Sequence, residues 1–379
     1  MTPRGSPLRC MTGLFRSILR CDHGSVEGKA MDSKHISPAD DDEEILDDAV
    51  EIPTTGSAPP AAMSAPRWLI DLRQTGAPGF YNSLGDHALM FADRGSPHLL
   101  VSFDNLSSAR DASLDRDPWG YGFAAKNGWS QLGVMAFRPD WFRSESLFEA
   151  LRDLERRGFF RRFASVTMTG TSMGGYAACA FAGLAPGCKV IAFSPQSTLK
   201  KSLVPWEGRF SSGRKADWSG DFADAAVEAG QAGKVWLVYD PFFEDDRRHA
   251  DRFEGPTIHK LRARHGGHKT ALILRRGEIL SRIVREVVED SMTEQRFYEL
   301  YRNVRRLPWF LNGVAEQTVA RGRPGLAGRL LLHMRQQGQG FAAHNLRKKI
   351  IAGGHEDPLS PRRMRAADRK LRHEIHQGA

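Results

Sequence analysis

The chain has 379 residues, 41% of them apolar, a formal net charge of +9 and only four cysteines, none of them in a CxxC pair. This cysteine usage argues against a disulfide-stapled fold and against a zinc knuckle, and no stretch reaches the roughly 18 to 20 apolar residues of a membrane helix. We therefore expect a globular, cytoplasmic protein without a membrane span, long enough to bury a substantial core.

The first 66 residues differ in composition from the rest of the chain. Residues 1–66 carry 6 Lys and Arg against 11 Asp and Glu, and they are rich in Ser, Pro, Ala and Gly. Such a composition cannot bury enough apolar surface to offset the conformational entropy that folding costs. We therefore predict a disordered leader over residues 1–66.

From residue 67 to residue 290, short apolar runs alternate with helix-forming segments. The runs that predict buried strands are 98–103, 131–137, 164–169, 189–195, 234–241 and 256–263. Helices are predicted at 144–158, after Ser172, and at 220–233, 249–255 and 278–290. Apolar strands that alternate with helices are typical of a mostly parallel sheet with helices on both faces. The sequence thus predicts an α/β domain over residues 67–290.

Beyond residue 290 the sequence predicts helices alone. Glycine or proline separates the helix-forming segments, which favours short helices packed as an appended bundle. Residues 291–379 carry 17 Lys and Arg against 7 Asp and Glu, so most of the basic character of the chain lies here. A solvated basic helix explains that charge without nucleic acid. We expect an all-helical, basic extension over residues 291–379 that binds no nucleic acid and that could bind an acidic partner.

A glycine-rich turn with a serine inside it lies between a predicted strand and a predicted helix. Gly170, Ser172 and Gly174 form a G-x-S-x-G motif in the stretch VTMTGTSMGGYAACAFAG. A strand-to-helix turn of this kind strains the serine backbone, and the glycines leave room where a Cβ would collide with neighbouring chain. Because a helix starts just past Ser172, free backbone N–H groups lie where an oxyanion would form. The motif predicts Ser172 as a nucleophile and the Met173 N–H as an oxyanion donor.

With this turn, TGTSMGGYAA, the sequence resembles the α/β-hydrolase family over about residues 98–290. The resemblance implies a catalytic acid and then a histidine downstream of the serine, in that order. The family places its histidine in a loop after the last strand, so His268 in GGHKT is the best match. His259 falls within the predicted strand and His265 precedes the glycine pair, so both are less favoured.

The resemblance leaves two aspartates open as the catalytic acid. Asp240 stands directly at the end of the strand 234–241, whereas Asp246 opens the following helix at the more usual distance from the apolar run. We favour Asp246 and keep Asp240 as the alternative acid. The second oxyanion donor of the family comes from the loop after an earlier strand, which here gives the backbone N–H of Asp104 or Asn105.

These residues predict a serine hydrolase that cleaves an ester-, thioester- or amide-like bond on a small-molecule or glycan-linked acyl substrate. Two alternatives stay open, namely an acyltransferase that uses the same residues and a catalytically inactive hydrolase-fold scaffold. No cofactor is expected, because GTSMGG lacks the G-K-[ST] ending of a phosphate loop. No metal is expected either, because HGGH lacks a third ligand at fixed spacing. The basic segment 196–220 falls where the family has its lid.

Overall fold

The computed structural model describes residues 65–111, 113 and 116–360. All but the last two residues of the predicted leader, and the tail from residue 361 onward, lie outside the described residues. In the described part of the chain, no helix has both the length and the apolar composition that crossing a membrane requires.

An eight-stranded sheet forms the centre of the described chain. Its strands run in the spatial order β1-β2-β4-β3-β5-β6-β7-β8. The strand β2 pairs antiparallel with both β1 and β4, and every other neighbouring pair is parallel. The strands are β1 (Gly79–Ser83), β2 (His87–Ala92), β3 (His98–Phe103), β4 (Ser130–Ala136), β5 (Ser165–Thr171), β6 (Lys189–Phe193), β7 (Lys234–Tyr239) and β8 (Ile258–Arg262).

Helices connect the parallel strands and cover the sheet. Every residue of β4 is buried, so both faces of the sheet are covered at its centre. Within the α/β part the helices are α1 (Arg67–Thr75), α2 (Leu106–Arg110), α3 (Tyr121–Lys126), α4 (Glu145–Arg156), α5 (Met173–Ala180), α6 (Ala225–Glu228), α7 (Glu244–Asp251), α8 (Thr270–Arg276) and α9 (Leu280–Val288). The predicted fold class, a mostly parallel α/β sheet followed by a helical extension, is therefore confirmed.

Two strands, β1 and β2, and four helices, α1, α2, α3 and α8, were not predicted from the sequence. β1 and β2 form an antiparallel hairpin at one edge of the sheet, with Gly79 opposite Ala92. Their sequences, GFYNS and HALMFA, lack valine and isoleucine, and β2 contains alanine, leucine and methionine, which favour helices. The helix α8 begins two residues after His268, in a segment for which the sequence predicted neither a helix nor a strand.

The helical extension packs against the loop between β8 and α8. It consists of α10 (Glu294–Tyr301), α11 (Pro308–Ala320), α12 (Pro324–Gln336) and α13 (Gly340–Ala352). The Tyr301 hydroxyl donates a hydrogen bond to the Arg264 carbonyl at 2.7 Å. On α11, a Cβ at Gly313 would come within 2.7 Å of the His265 side chain. The extension thus contacts the chain just before His268.

His265 is buried where this loop meets α11. Its ring lies 5.0 Å from the Phe242 ring and 5.1 Å from the Phe310 ring, centroid to centroid. Burial, with a smaller contribution from Arg264, lowers the pKa of His265 to about 4. The folded protein therefore holds this imidazole neutral at a pH at which the unfolded chain protonates it.

We expect this histidine to make the folded protein sensitive to acid. Because the pKa is lower in the folded state than the usual 6.5, stability is lost as the pH falls from 6.5 towards 4, by about 3 kcal/mol at most. His265→Asn removes the titration and keeps a residue that tolerates the positive φ of 65° at this position. Urea unfolding at several pH values should show a shallower acid decline for His265→Asn than for the wild type, and parallel curves would contradict this assignment.

Candidate active site

Ser172 is the single residue between β5 and α5. Its backbone conformation is rare for a residue with a side chain. Its φ is 53° and its ψ is −114°, which costs on the order of 1–3 kcal/mol unless the surrounding structure holds it in place. The Ser172 N–H donates to the Phe193 carbonyl of β6 at 2.9 Å. The turn is thereby tied to the neighbouring strand, and the serine side chain is raised above the carboxyl edge of the sheet.

The two flanking glycines are required by close backbone contacts. A Cβ at Gly170 would lie 2.3 Å from the carbonyl carbon of Gly174, and a Cβ at Gly174 would lie 2.5 Å from the carbonyl oxygen of Phe103. Real Cβ atoms do not approach backbone this closely. The absence of a side chain at Gly174 therefore lets the start of α5 lie against the end of β3, beside the loop that begins at Asp104.

Three of the candidate residues are joined by hydrogen bonds. Ser172 Oγ lies 2.9 Å from His268 Nε2, and His268 Nδ1 lies 2.9 Å from each carboxylate oxygen of Asp246. An ionised carboxylate only accepts, so Nδ1 carries the proton and Nε2 is free to accept from the serine hydroxyl. The arrangement allows His268 to take the serine proton.

Asp246 is 1% exposed and stays ionised because of its partners. Burial alone raises its pKa, but the contacts with His268 and Arg209 outweigh burial and hold the pKa below the usual value. Arg209 Nη1 donates to Asp246 Oδ1 at 2.9 Å. The carboxylate is thus held between the histidine and the arginine.

Asp240, the alternative acid, is not brought to His268. Its two carboxylate oxygens accept the backbone N–H groups of Phe242 and Gly267, each at 2.9 Å. Burial raises the pKa of Asp240 to about 6. Asp240 therefore anchors the residue immediately before His268, whereas Asp246 lies against the imidazole itself.

The two less favoured histidines lie away from the serine. His259 is on β8, stacked on Trp236 at 4.5 Å between ring centroids, and its Nδ1 lies 3.4 Å from Glu294. His265 is packed against Phe242 and α11, as described above.

Of the candidate oxyanion donors, Asp104 has its backbone N–H occupied. That N–H donates to the Val134 carbonyl at 3.2 Å. Within the described residues, the backbone N–H groups of Met173 and Asn105 have no hydrogen-bond acceptor. Asn105 uses its side chain to cap α2, since Oδ1 accepts from the Ser108 N–H at 2.8 Å. Both N–H groups therefore stay candidates for the predicted oxyanion donors.

Gln196 also reaches the serine, although the sequence gave no sign of it. Gln196 Nε2 donates to Ser172 Oγ at 3.3 Å, and Gln196 Oε1 accepts from Trp141 Nε1 at 3.0 Å. Gln196 and Arg209 both belong to the segment 196–220, which falls where the α/β-hydrolase family has its lid. Their contacts indicate that this segment forms part of the wall of the site. No spacing rule could have found them, because their positions depend on the path of a long irregular segment.

Within the described residues, no group of three or more His, Cys, Asp or Glu side chains is arranged to hold a metal ion.

No protein-family model matches the sequence, and no curated protein sequence matches it. Among solved structures, the fold is similar to esterase PF2001 of Pyrococcus furiosus, with 13% identity, a TM-score of 0.40, and coverage of 59% of this chain and 94% of the esterase. It is similar to FphF, a fluorophosphonate-binding serine hydrolase of Staphylococcus aureus, with 15% identity, a TM-score of 0.36, and coverage of 56% and 99%. The capsule O-acetyltransferase of Neisseria meningitidis serogroup A matches with 10% identity, a TM-score of 0.39, and coverage of 56% and 95%. Likenesses this distant do not indicate an activity.

The chain resembles the α/β-hydrolase family in its own architecture. The serine turn follows β5, next to the centre of a mostly parallel eight-stranded sheet, and a helix begins at the residue after the serine.

Proposed function

We propose that the chain is a serine hydrolase that cleaves an ester-, thioester- or amide-like acyl bond through a covalent intermediate on Ser172. The observation that carries this proposal is the hydrogen-bonded series Ser172–His268–Asp246, with 2.9 Å at each step, at a strained strand-to-helix turn. A nucleophile, a base and an orienting acid in that geometry are what acyl transfer to serine needs.

The proposed reaction has two halves. Ser172 Oγ attacks the acyl carbon while His268 Nε2 takes the hydroxyl proton, and the Met173 and Asn105 N–H groups stabilise the oxyanion. Collapse of the tetrahedral intermediate breaks the bond to the leaving group, which receives the proton from Nε2. Water then attacks the acyl-enzyme by the same steps, and the serine is restored with its proton. Asp246 keeps the proton of the neutral imidazole on Nδ1 and stabilises the imidazolium that forms in each half.

The surroundings of the serine support this chemistry. Ser172 is 9% exposed, and a site that excludes most water strengthens hydrogen bonds to a developing charge. The Gln196 amide lies close enough to Ser172 Oγ to position that atom. The Phe210 ring lies 5.8 Å from the His268 ring, so one wall beside the base is apolar. We retain a small-molecule or glycan-linked acyl group as the proposed substrate class.

Substitution of the three residues tests the proposal on p-nitrophenyl acetate. We expect Ser172→Ala, His268→Ala and Asp246→Asn each to lower kcat by about 10³- to 10⁴-fold or more, because each removes one member of a unit. Asp240→Asn is the matched control, since this buried aspartate does not contact His268, and it should cost much less. Thermal unfolding of each variant checks the fold. Ester turnover that persists in folded Ser172→Ala would disprove the nucleophile assignment.

The acceptor of the acyl group can be tested by following breakdown of the acyl-enzyme with and without added alcohols or glycans. We expect breakdown in water alone to account for turnover, because Ser172 keeps a small exposed area that admits water. An acyl-enzyme that is stable in water and breaks down only with an alcohol or glycan would instead assign acyl transfer.

A further inference from the structure

An ion pair between Arg209 and Glu207 lies against Asp246, with the arginine also beside His268. Arg209 Nε lies 3.1 Å and 3.0 Å from the two carboxylate oxygens of Glu207, while Arg209 Nη1 donates to Asp246 at 2.9 Å. Glu207 is 1% exposed. One guanidinium therefore joins two buried carboxylates, of which one faces the candidate base.

Glu207 has a second donor that fixes its charge. His249 Nε2 lies 3.0 Å from Glu207, and His249 Nδ1 accepts the Ser197 N–H at 3.1 Å. Because Nδ1 accepts, Nε2 must carry the proton and donate it to Glu207. Burial raises the pKa of Glu207, but hydrogen bonds from His249 and Arg209 outweigh burial and hold it at about 2. This histidine is neutral because its Nδ1 is an acceptor, and burial also lowers its pKa.

The charges on these groups have a consequence for His268. Arg209 alone would cancel the negative charge of Asp246, and Arg209 Nη1 is also only 3.5 Å from His268 Nδ1. A cation so placed disfavours an imidazolium. Glu207 cancels the charge of Arg209, so Asp246, Arg209 and Glu207 together carry one negative charge. This net negative charge stabilises an imidazolium at His268.

Other charged groups face this cluster and have to be considered. Asp245 on α7 lies 3.4 Å from Arg209 Nε and is half-buried. Asp240 at the end of β7 interacts electrostatically with Asp246. Arg252 reaches Ser197 Oγ at 2.8 Å and is paired with Asp224. Asp245 loses its contact with the guanidinium in Arg209→Met, and its negative charge then adds to the rise expected for that variant. The described hydrogen bonds and ion pairs of Asp240, Arg252 and Asp224 include neither Glu207 nor Arg209.

We propose that Arg209 and Glu207 act as a positioning pair for the site, an inference that rests on the proposed function. Arg209 fixes the orientation of the Asp246 carboxylate, and Glu207 offsets the arginine charge so that His268 keeps an anionic partner. The segment 196–220 thereby governs how strongly the base holds a proton. If the pair only stabilised the fold, the direction in which the His268 titration moves would not depend on whether a negative or a positive charge is removed.

The test is an NMR titration of the His268 ring in the full-length protein labelled at histidine ¹³Cε1, with His268→Gln to assign the signal. Glu207→Gln leaves the arginine charge uncompensated and should move the titration midpoint to lower pH by about one unit. Arg209→Met leaves Glu207 and Asp246 without the cation and should move the midpoint to higher pH by about one unit. The acid limb of kcat/KM should move in the same two directions.

Two controls make the result specific. Arg209→Lys keeps the charge and should move the midpoint less than Arg209→Met does. Arg296→Met breaks a comparable pair with Glu286 in the contact between α9 and α10 and should leave the midpoint at its wild-type value. If Arg209→Met does not fold, Arg209→Gln carries the same change of charge and the same expected direction.

Opposite shifts for Glu207→Gln and Arg209→Met would support the pairing, and shifts in the same direction, or none, would overturn it. The NMR readout needs no substrate, so it separates this inference from the proposed function. Opposite shifts in a protein that turns over no ester would uphold the positioning role and reject the hydrolase. Ester turnover without opposite shifts would support the hydrolase and reject the positioning role.

Discussion

The strained backbone of Ser172 is the constraint on which the rest of the site depends. Its positive φ is tolerated because Gly170 and Gly174 let β5, α5 and the end of β3 approach within distances that no Cβ would allow. The same close approach packs the start of α5, which begins at Met173, against the loop that bears Asn105. A single local feature of the backbone therefore fixes both the side-chain oxygen and the donors that would stabilise a charge beside it.

The loop that bears His268 is held by a different set of contacts, one from the end of β7 and one from the helical extension. Asp240 accepts the Gly267 N–H at the residue before His268, while Tyr301 of the helical extension binds the Arg264 carbonyl. The extension is thus connected to the site through the loop that bears the base. The segment 196–220 also contacts the site, because Gln196 donates to Ser172 and Arg209 donates to Asp246.

The sequence predicted most where the signal was local. The G-x-S-x-G spacing identified the serine turn, and six apolar runs identified six of the eight strands. The segment HALMFA consists largely of helix-forming residues, and it forms the strand β2 because it pairs with the neighbouring strands. The sequence favoured Asp246 over Asp240 only by its distance from the apolar run, since the separation of each from His268 depends on how the first turn of α7 is oriented. Glu207 and Arg209 were missed because their positions follow from tertiary packing of an irregular segment. The catalytic roles themselves stay predictions.

The most direct measurement of the central claim is reaction of the full-length protein with a fluorophosphonate probe, followed by mass spectrometry of its peptides. The account predicts one adduct, on Ser172 in the peptide that spans the end of β5 and the start of α5. That adduct should be absent from a folded Ser172→Ala variant. No adduct on folded wild-type protein, or an adduct at another residue that persists in Ser172→Ala, would contradict the account.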